Sequence, residues 1–212
     1  MLLVALTGGI ATGKSVVAEV LMQLGCYIHE ADTAAHQLME PEKPVWESIV
    51  ARYGAKILNP DKTINRNALG AVVFADKEER LFLNSLIHPL VMKKKKEIIQ
   101  KLRDERKHKI FVSVAALTIE AGFTDFFDKV VVVFCDRETQ LKRLMQRDNI
   151  TQDEAQKKIN SQMPQEDKLM VADYIINTSG PIVQTVEQAE QVFRNLMIDY
   201  ELKTSQKRDG RT

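Results

Sequence analysis

The sequence predicts an α/β protein: one parallel β-sheet between layers of helices, enlarged by a helical insertion. Three observations carry this. Short apolar runs that read as buried strands stand at the start, middle and end of the chain, with helical stretches between them. The first run enters a glycine-rich turn, Gly8-Gly-Ile-Ala-Thr-Gly13-Lys14-Ser15, that opens a helix. Residues 33–106 hold no strand pattern, a helical stretch far longer than a plain crossover needs.

Leu2-Leu-Val-Ala-Leu6 is a continuous apolar run, as a fully buried strand requires, and Gly8-Gly9 ends it. From Lys14 the pattern is helical, with Val17, Leu21 and Leu24 on one side and Gly25 as the stop. Cys26 to Glu30 reads as a second strand, so the first thirty residues form a βαβ unit with parallel pairing. Helices then follow after Asp32, over Val45–Tyr53, Arg66–Phe74 and Lys77–Ile87, and beyond His88-Pro89, where Val91, Ile98 and Leu102 share a side. Pro41 to Pro44 and Asn59-Pro60-Asp61 are the breaks. Ile110–Ala115 and Val130–Cys135 read as buried strands, and Leu141, Leu144 and Met145 make the apolar face of the helix that comes next. Residues 149–172 are polar and helical, and Tyr174–Asn177 is a last strand. Val186, Ala189, Phe193, Leu196 and Tyr200 define a closing amphipathic helix. The expected organisation is a core of residues 1–32, 108–148 and 173–202, an insertion over 33–107, a lid over 149–172 and a frayed tail from Lys203 to Thr212.

Composition sets bounds on function. The 212 residues are 44% hydrophobic and 28% charged, ordinary globular usage. A net charge of +1 excludes a chain-wide electrostatic grip on nucleic acid or an acidic membrane. Cys26 and Cys135 lie far apart with no CxxC, which excludes a disulfide framework and a zinc site of ordinary spacing and fits a reducing cytosol. No apolar run approaches the roughly 20 residues that span a bilayer, and Leu2–Leu6 is too short for a signal segment. The expectation is a soluble cytoplasmic protein with neither nucleic acid nor membrane as a partner.

The turn after the first strand matches G-x-x-x-x-G-K-[ST] in the strand-to-helix context that gives that motif meaning. Gly8 and Gly13 let the backbone turn, so that N–H groups through Gly9, Ile10, Ala11, Thr12 and on to Val16 point inward at the positive end of a helix. Lys14 can reach the β- and γ-phosphates, and the Ser15 hydroxyl can ligate Mg²⁺. This is a nucleoside-triphosphate site. The guanine motif N-K-x-D of a GTPase switch is absent, and no strand ends in the acidic pair of a motor ATPase. Asp136 does end a strand, but it precedes a helix that it would cap.

A kinase also needs an acceptor site and a base. The second strand runs into Glu30-Ala31-Asp32 at the edge where such sheets bind ligands, and strand alternation would put both carboxylates on one side. Either can hold a metal-bound water or accept a proton, while Asp32 can equally cap the next helix. Arg143 and Arg147, spaced i, i+4, share a helix face that leads into the lid and suit phosphate oxygens. His88, before Pro89, reads on its own as a turn or core residue, and Lys93 to Lys96 as a solvated surface.

Taken together, the separated motifs resemble the dephospho-coenzyme A kinase family. The pieces are Leu6-Thr-Gly-Gly-Ile10 with Gly13-Lys-Ser15, Glu30-Ala-Asp32, Leu83-Asn-Ser-Leu-Ile-His-Pro89, Thr139-Gln-Leu-Lys-Arg143 with Gln146-Arg-Asp148, Gln162-Met-Pro164 with Lys168, and Ala172-Asp173 with Asn177. They span about residues 1 to 200. The resemblance implies a P-loop NTPase fold and ATP-dependent phosphorylation of the ribose 3′-hydroxyl of dephospho-coenzyme A. It implies Asp32 as general base, Lys14 as γ-phosphate clamp, Ser15 as Mg²⁺ ligand, and Arg143 with Arg147 over the phosphates. Arg66, His88 and the insertion would hold the coenzyme A moiety, and Asn177 would lie by the ATP base. Four positions depart from the family pattern: Glu30 for Asp, His36 for Arg, Ala116 for Pro, and Val16 for Thr. The competing readings are another nucleoside or sugar kinase, and a nucleotide-binding regulatory or assembly protein without transfer. Oligomeric state is left open.

Overall fold

Five apolar runs become five parallel strands: β1 (Leu2–Thr7), β2 (Tyr27–Glu30), β3 (Ile110–Val114), β4 (Lys129–Phe134) and β5 (Tyr174–Asn177), in the order β2-β3-β1-β4-β5. The computed structural model describes residues 1–208, and the side chains of Asp32, Ala34, Ala35, Asn67, Phe74, Ala75, Lys207 and Arg208 lie outside the described residues. β1 is central and every one of its residues is buried, which is why its sequence shows no alternation. Its register places Leu6 beside Val114 of β3 and Val131 of β4. All strands point the same way, so their carboxyl ends share one edge.

The chain divides into two compact units. The first, Met1–Glu30 with Leu102–Thr212, contains the sheet. Here α1 (Lys14–Gln23) buries Val17, Ala18 and Leu21. Leu24, expected on the same side, is instead exposed, because the helix ends at Gln23 and Gly25 turns the chain at φ +94°.

The second unit, Ala31–Lys101, is helical. It comprises α2 (Ala31–Leu38), α3 (Pro44–Tyr53), α4 (Arg66–Ala75) and most of α5 (Lys77–Glu105) around Ile49, Ile57, Leu69 and Ile87. Glu79 of α5 accepts both fork bonds of Arg52 at 2.7 and 2.9 Å and the Tyr53 hydroxyl at 2.7 Å. Arg52 first and Tyr53 second hold the Glu79 carboxyl down at about 2.

The helix expected to break at His88-Pro89 does not: α5 is one 29-residue helix with Pro89 inside it. Proline removes one N–H from the ladder, a local loss that buried residues on both sides of it, Ile87, Val91, Ile99 and Leu102, outweigh. The stripe therefore runs through Ile99 and not Ile98. It also takes in Lys95, which is only 5% exposed, so the four lysines are not all solvated surface.

In the first unit, α6 (Arg137–Asp148), α7 (Gln152–Asn160) and α8 (Gln165–Leu169) follow β4, and α9 (Ile182–Arg208) closes the chain. α9 buries Ala189, Val192 and Leu196 against α1 and the sheet. It continues through Arg208, past the expected start of a tail: Lys203 Nζ binds Asp128 Oδ2 at 2.5 Å and Thr204 bonds back to Tyr200 O at 2.9 Å. Cys26 and Cys135 are both buried and free.

Burial pushes the Lys95 ammonium down from 10.5 to about 8. The unfolded chain then holds this proton more tightly than the folded one, so stability through this group rises as pH climbs from about 8 to 10.5. Urea denaturation across that window is expected to show the rise in the wild type and a flatter profile for Lys95→Met. Equal slopes would mean that Lys95 is ionised and solvated in the fold.

Candidate active site

Between Thr7 and Lys14 the backbone takes positive φ three times, at Gly8 (+150°), Ala11 (+59°) and Gly13 (+89°). At Gly8 a Cβ would lie 2.1 Å from the Val133 carbonyl oxygen, so only glycine fits there. The turn wraps on itself: Thr12 Oγ1 donates to Gly9 O at 2.9 Å, and Lys14 Nζ donates to Gly8 O at 3.0 Å and Gly9 O at 2.8 Å. α1 starts from Gly13 with no side-chain cap and no acidic residue in its first turn. Its leading N–H groups and positive end are therefore set at the loop, which is an anion cradle. Ser15 is exposed in that first turn and Val16 half-buried, its N–H on Gly13 O at 3.1 Å.

Thr178, the residue after β5, joins this loop to its flank. Its hydroxyl donates to Thr12 O at 2.7 Å and accepts from Arg143 Nη1 at 3.0 Å, while its carbonyl accepts from Arg143 Nη2 at 2.8 Å. Asn177 is fixed from α9, with its N–H on Gln188 Oε1 (2.9 Å) and its C=O on Gln188 Nε2 (2.8 Å). Asp136 caps α6, accepting from the Thr139 N–H at 2.8 Å and its hydroxyl at 2.7 Å, and these bonds lower its pKa. No sequence motif marks Thr178. Its place at the carboxyl edge was legible, but its role depends on β5 lying beside β4 and β4 beside β1.

The segment after α6 packs on the loop. Ala155 and Ile159 of α7 join Leu144 of α6 in a small apolar cluster that also covers Ile10 and Ala11. Lys168 of α8, fully buried, donates to Ala116 O at 3.1 Å and pairs with Glu120 at 2.6 Å, tying down the chain after β3. The two arginines diverge: Arg143 reaches the loop's flank through Thr178, whereas Arg147 is half-exposed and pairs with Asp148 at 2.8 Å. Lys158 also binds Asp148 at 2.8 Å, and Arg147 and then Lys158 hold that carboxyl at about 2.

At the next candidate position, Glu30 ends β2 and the chain is helical from Ala31. Strand alternation therefore cannot place Glu30 and Asp32 together, and the Asp32 side chain lies outside the described residues. Within the helical unit, Arg66 begins α4 and lines a cavity of about 610 Å³ with His36, Met39, Asn59, Thr63 and Asn65. His88 is not on that cavity. It lies within α5, half-buried, and burial lowers its pKa. Among the described residues no cluster of three His, Cys, Asp or Glu forms a metal cage. The Ser15 hydroxyl is nonetheless the hard oxygen that suits Mg²⁺, an ion that keeps waters and takes few protein ligands.

The family model described as dephospho-CoA kinase matches residues 2–184 of the chain. A dephospho-CoA kinase of Geobacter metallireducens is 40% identical over 194 residues, 92% of this chain and 96% of that protein. Among solved structures, TT1252 from Thermus thermophilus superposes with a TM-score of 0.78 at 24% identity, over 90% of this chain and 95% of that one. A dephospho-CoA kinase from Campylobacter jejuni superposes with a TM-score of 0.65 at 31% identity, over 92% and 96%.

Thr178→Val should cost about 1–3 kcal/mol of stability, because it leaves the Thr12 carbonyl and the Arg143 guanidinium short of a partner. It should also weaken binding of a non-hydrolysable triphosphate in calorimetry, while Thr178→Ser retains both properties. A valine variant that binds and melts like wild type would remove Thr178 from the site.

Proposed function

The chain belongs to the dephospho-CoA kinase family and catalyses the last step of coenzyme A synthesis; from that premise we propose how its own residues transfer the ATP γ-phosphoryl group to the ribose 3′-hydroxyl of dephospho-coenzyme A. The observation that carries this reading is the Gly8–Ser15 turn, with its three positive-φ residues and the Lys14 ammonium held over the Gly8 and Gly9 carbonyls. Phosphoryl transfer through a loose transition state asks for positioning and charge neutralisation more than covalent help.

The loop N–H groups other than that of Ile10, which Gln162 Oε1 accepts, hold the triphosphate together with the start of α1. Lys14 exchanges its carbonyl partners for phosphate oxygens, which are stronger acceptors for an ammonium. Arg143, aligned by Thr178, and Arg147 neutralise charge on the phosphates from α6, and Asn177 flanks the base. Mg²⁺, held by the Ser15 hydroxyl, supplies further charge neutralisation when bound. Asp32, two residues beyond β2 in the chain, accepts the proton of the attacking hydroxyl. Arg66, in its cavity, and His88 hold the acceptor, so the helical unit is the acceptor-binding part and residues 149–172 the lid. Lid closure keeps water from competing for the γ-phosphoryl group. Among the described residues no helix is long and apolar enough to cross a membrane, and two free, buried cysteines suit a cytosolic enzyme.

Coupled ADP release with dephospho-coenzyme A, adenosine, cytidine, uridine and gluconate tests the substrate. Turnover is expected with dephospho-coenzyme A, and turnover only with another acceptor would contradict the assignment. In the same assay Asp32→Asn should lower kcat by about 10²-fold or more with ATP binding retained, as loss of a general base predicts. Normal turnover would show that Asp32 is not the base.

A further inference from the structure

Ile10, the third residue of the loop, has both of its backbone polar atoms taken by glutamine side chains from outside the loop. Its N–H donates to Gln162 Oε1 at 2.7 Å, and its C=O accepts from Gln140 Nε2 at 2.8 Å. Gln140 lies on α6 and is 1% exposed, while Gln162 sits in the turn between α7 and α8. A third glutamine, Gln165, braces the first: its Nε2 donates to Gln140 Oε1 at 3.3 Å and to Cys135 O at 3.1 Å, and its Oε1 accepts the Cys135 N–H at 3.4 Å. A carbonyl can only accept and an N–H only donate, so the backbone contacts dictate which way each amide faces. Room for this arrangement comes from Gly9, where a Cβ would stand 2.8 Å from Gln140 Nε2.

The next residue gives the clamp its consequence. Ala11 is left-handed at φ +59°, a conformation that costs a residue bearing a Cβ on the order of 1 kcal/mol and persists only where its surroundings over-determine it. Within the loop that determination is local: Ile10 is bound at both ends immediately before Ala11, and both residues are packed under the Leu144–Ala155–Ile159 cluster. We propose that Gln140 and Gln162 are positioning residues that hold the phosphate loop in its nucleotide-binding shape before the nucleotide arrives, with Gln165 as their brace. The lid turn is thereby coupled to the loop in both directions, because whatever favours the loop's bound shape also favours the lid's contact with it. The proposal rests on reading Gly8–Ser15 as the triphosphate cradle.

The test measures nucleotide binding and both Michaelis constants for the wild type, Gln162→Met and Gln165→Leu. Gln162→Met should raise the KM for ATP about tenfold, leave the KM for dephospho-coenzyme A within about twofold and change kcat by no more than about threefold. Gln165→Leu, which leaves the loop contacts themselves in place, should raise the KM for ATP by about threefold. A role limited to folding would move both Michaelis constants or neither. Should Gln162→Met fail to fold, the same split in Gln165→Leu decides. If the wild type binds nucleotide and both variants bind it equally well, the clamp falls and the cradle stands. If the wild type binds no nucleotide, the cradle reading fails and the clamp with it.

Discussion

No side chain fits at position 8, and the rest of the nucleotide site is arranged around that constraint. The chain leaves β1 so close to the Val133 carbonyl that even a methyl group would collide with it. That closeness follows from the pairing of β1 with β4, which places Val133 beside the end of the central strand. The neighbouring strand then matters as well: β5 pairs with β4 and delivers Thr178 to Thr12 and to the open side of Gly13. The sheet order thus does more than bury apolar surface. It brings three strand ends and two helices to a turn that no local sequence could hold in shape alone.

Four cations around this turn are each engaged by the protein itself. Lys14 sits on two carbonyls, Arg143 on Thr178, Arg147 on Asp148, and Lys168 on Ala116 and Glu120. The strengths differ in a way that suits transfer. Carbonyl and hydroxyl acceptors are neutral and weaker than phosphate oxygens, which is what the proposed exchange of partners by Lys14 and Arg143 relies on. Lys168, fully buried with a carboxylate, is a fixed tie, since stripping one partner from a buried pair leaves a costly lone charge. The near-neutral net charge of the chain is consistent with this local matching of cations by acids such as Asp148 and Glu120.

Much of this was legible in the sequence, for identifiable reasons. Buried parallel strands are continuous apolar runs, so Leu2–Leu6 and Val130–Cys135 announce themselves, and the loop motif has fixed spacing. What escaped depends on partners distant in the chain. Pro89 marks a helix break in any local reading, and only the stripe from Ile87 to Leu102 shows that the helix continues through it. Lys95 looks like its three lysine neighbours until its place on that stripe is known. Glu30 and Asp32 alternate only if the strand continues through Asp32, and it stops two residues earlier, at Glu30. Thr178 belongs to no motif, and Gln140 and Gln162 stand inside motif pieces that assign them no contact, so their place at the loop shows only once strand order and the packing of α6 and α7 bring them there.

The central claim is that the phosphate loop is preformed, held by Thr178, Gln140 and Gln162 and not shaped by its ligand. It is tested most directly by determining the structure with and without a non-hydrolysable ATP analogue. The account predicts that Gly8–Ser15 superposes within about 1 Å between the two states, as pre-organised sites do, with Ala11 left-handed in both. A nucleotide-free loop that departs from the bound one by more than about 2 Å, or that moves Ala11 out of the left-handed region, would contradict it.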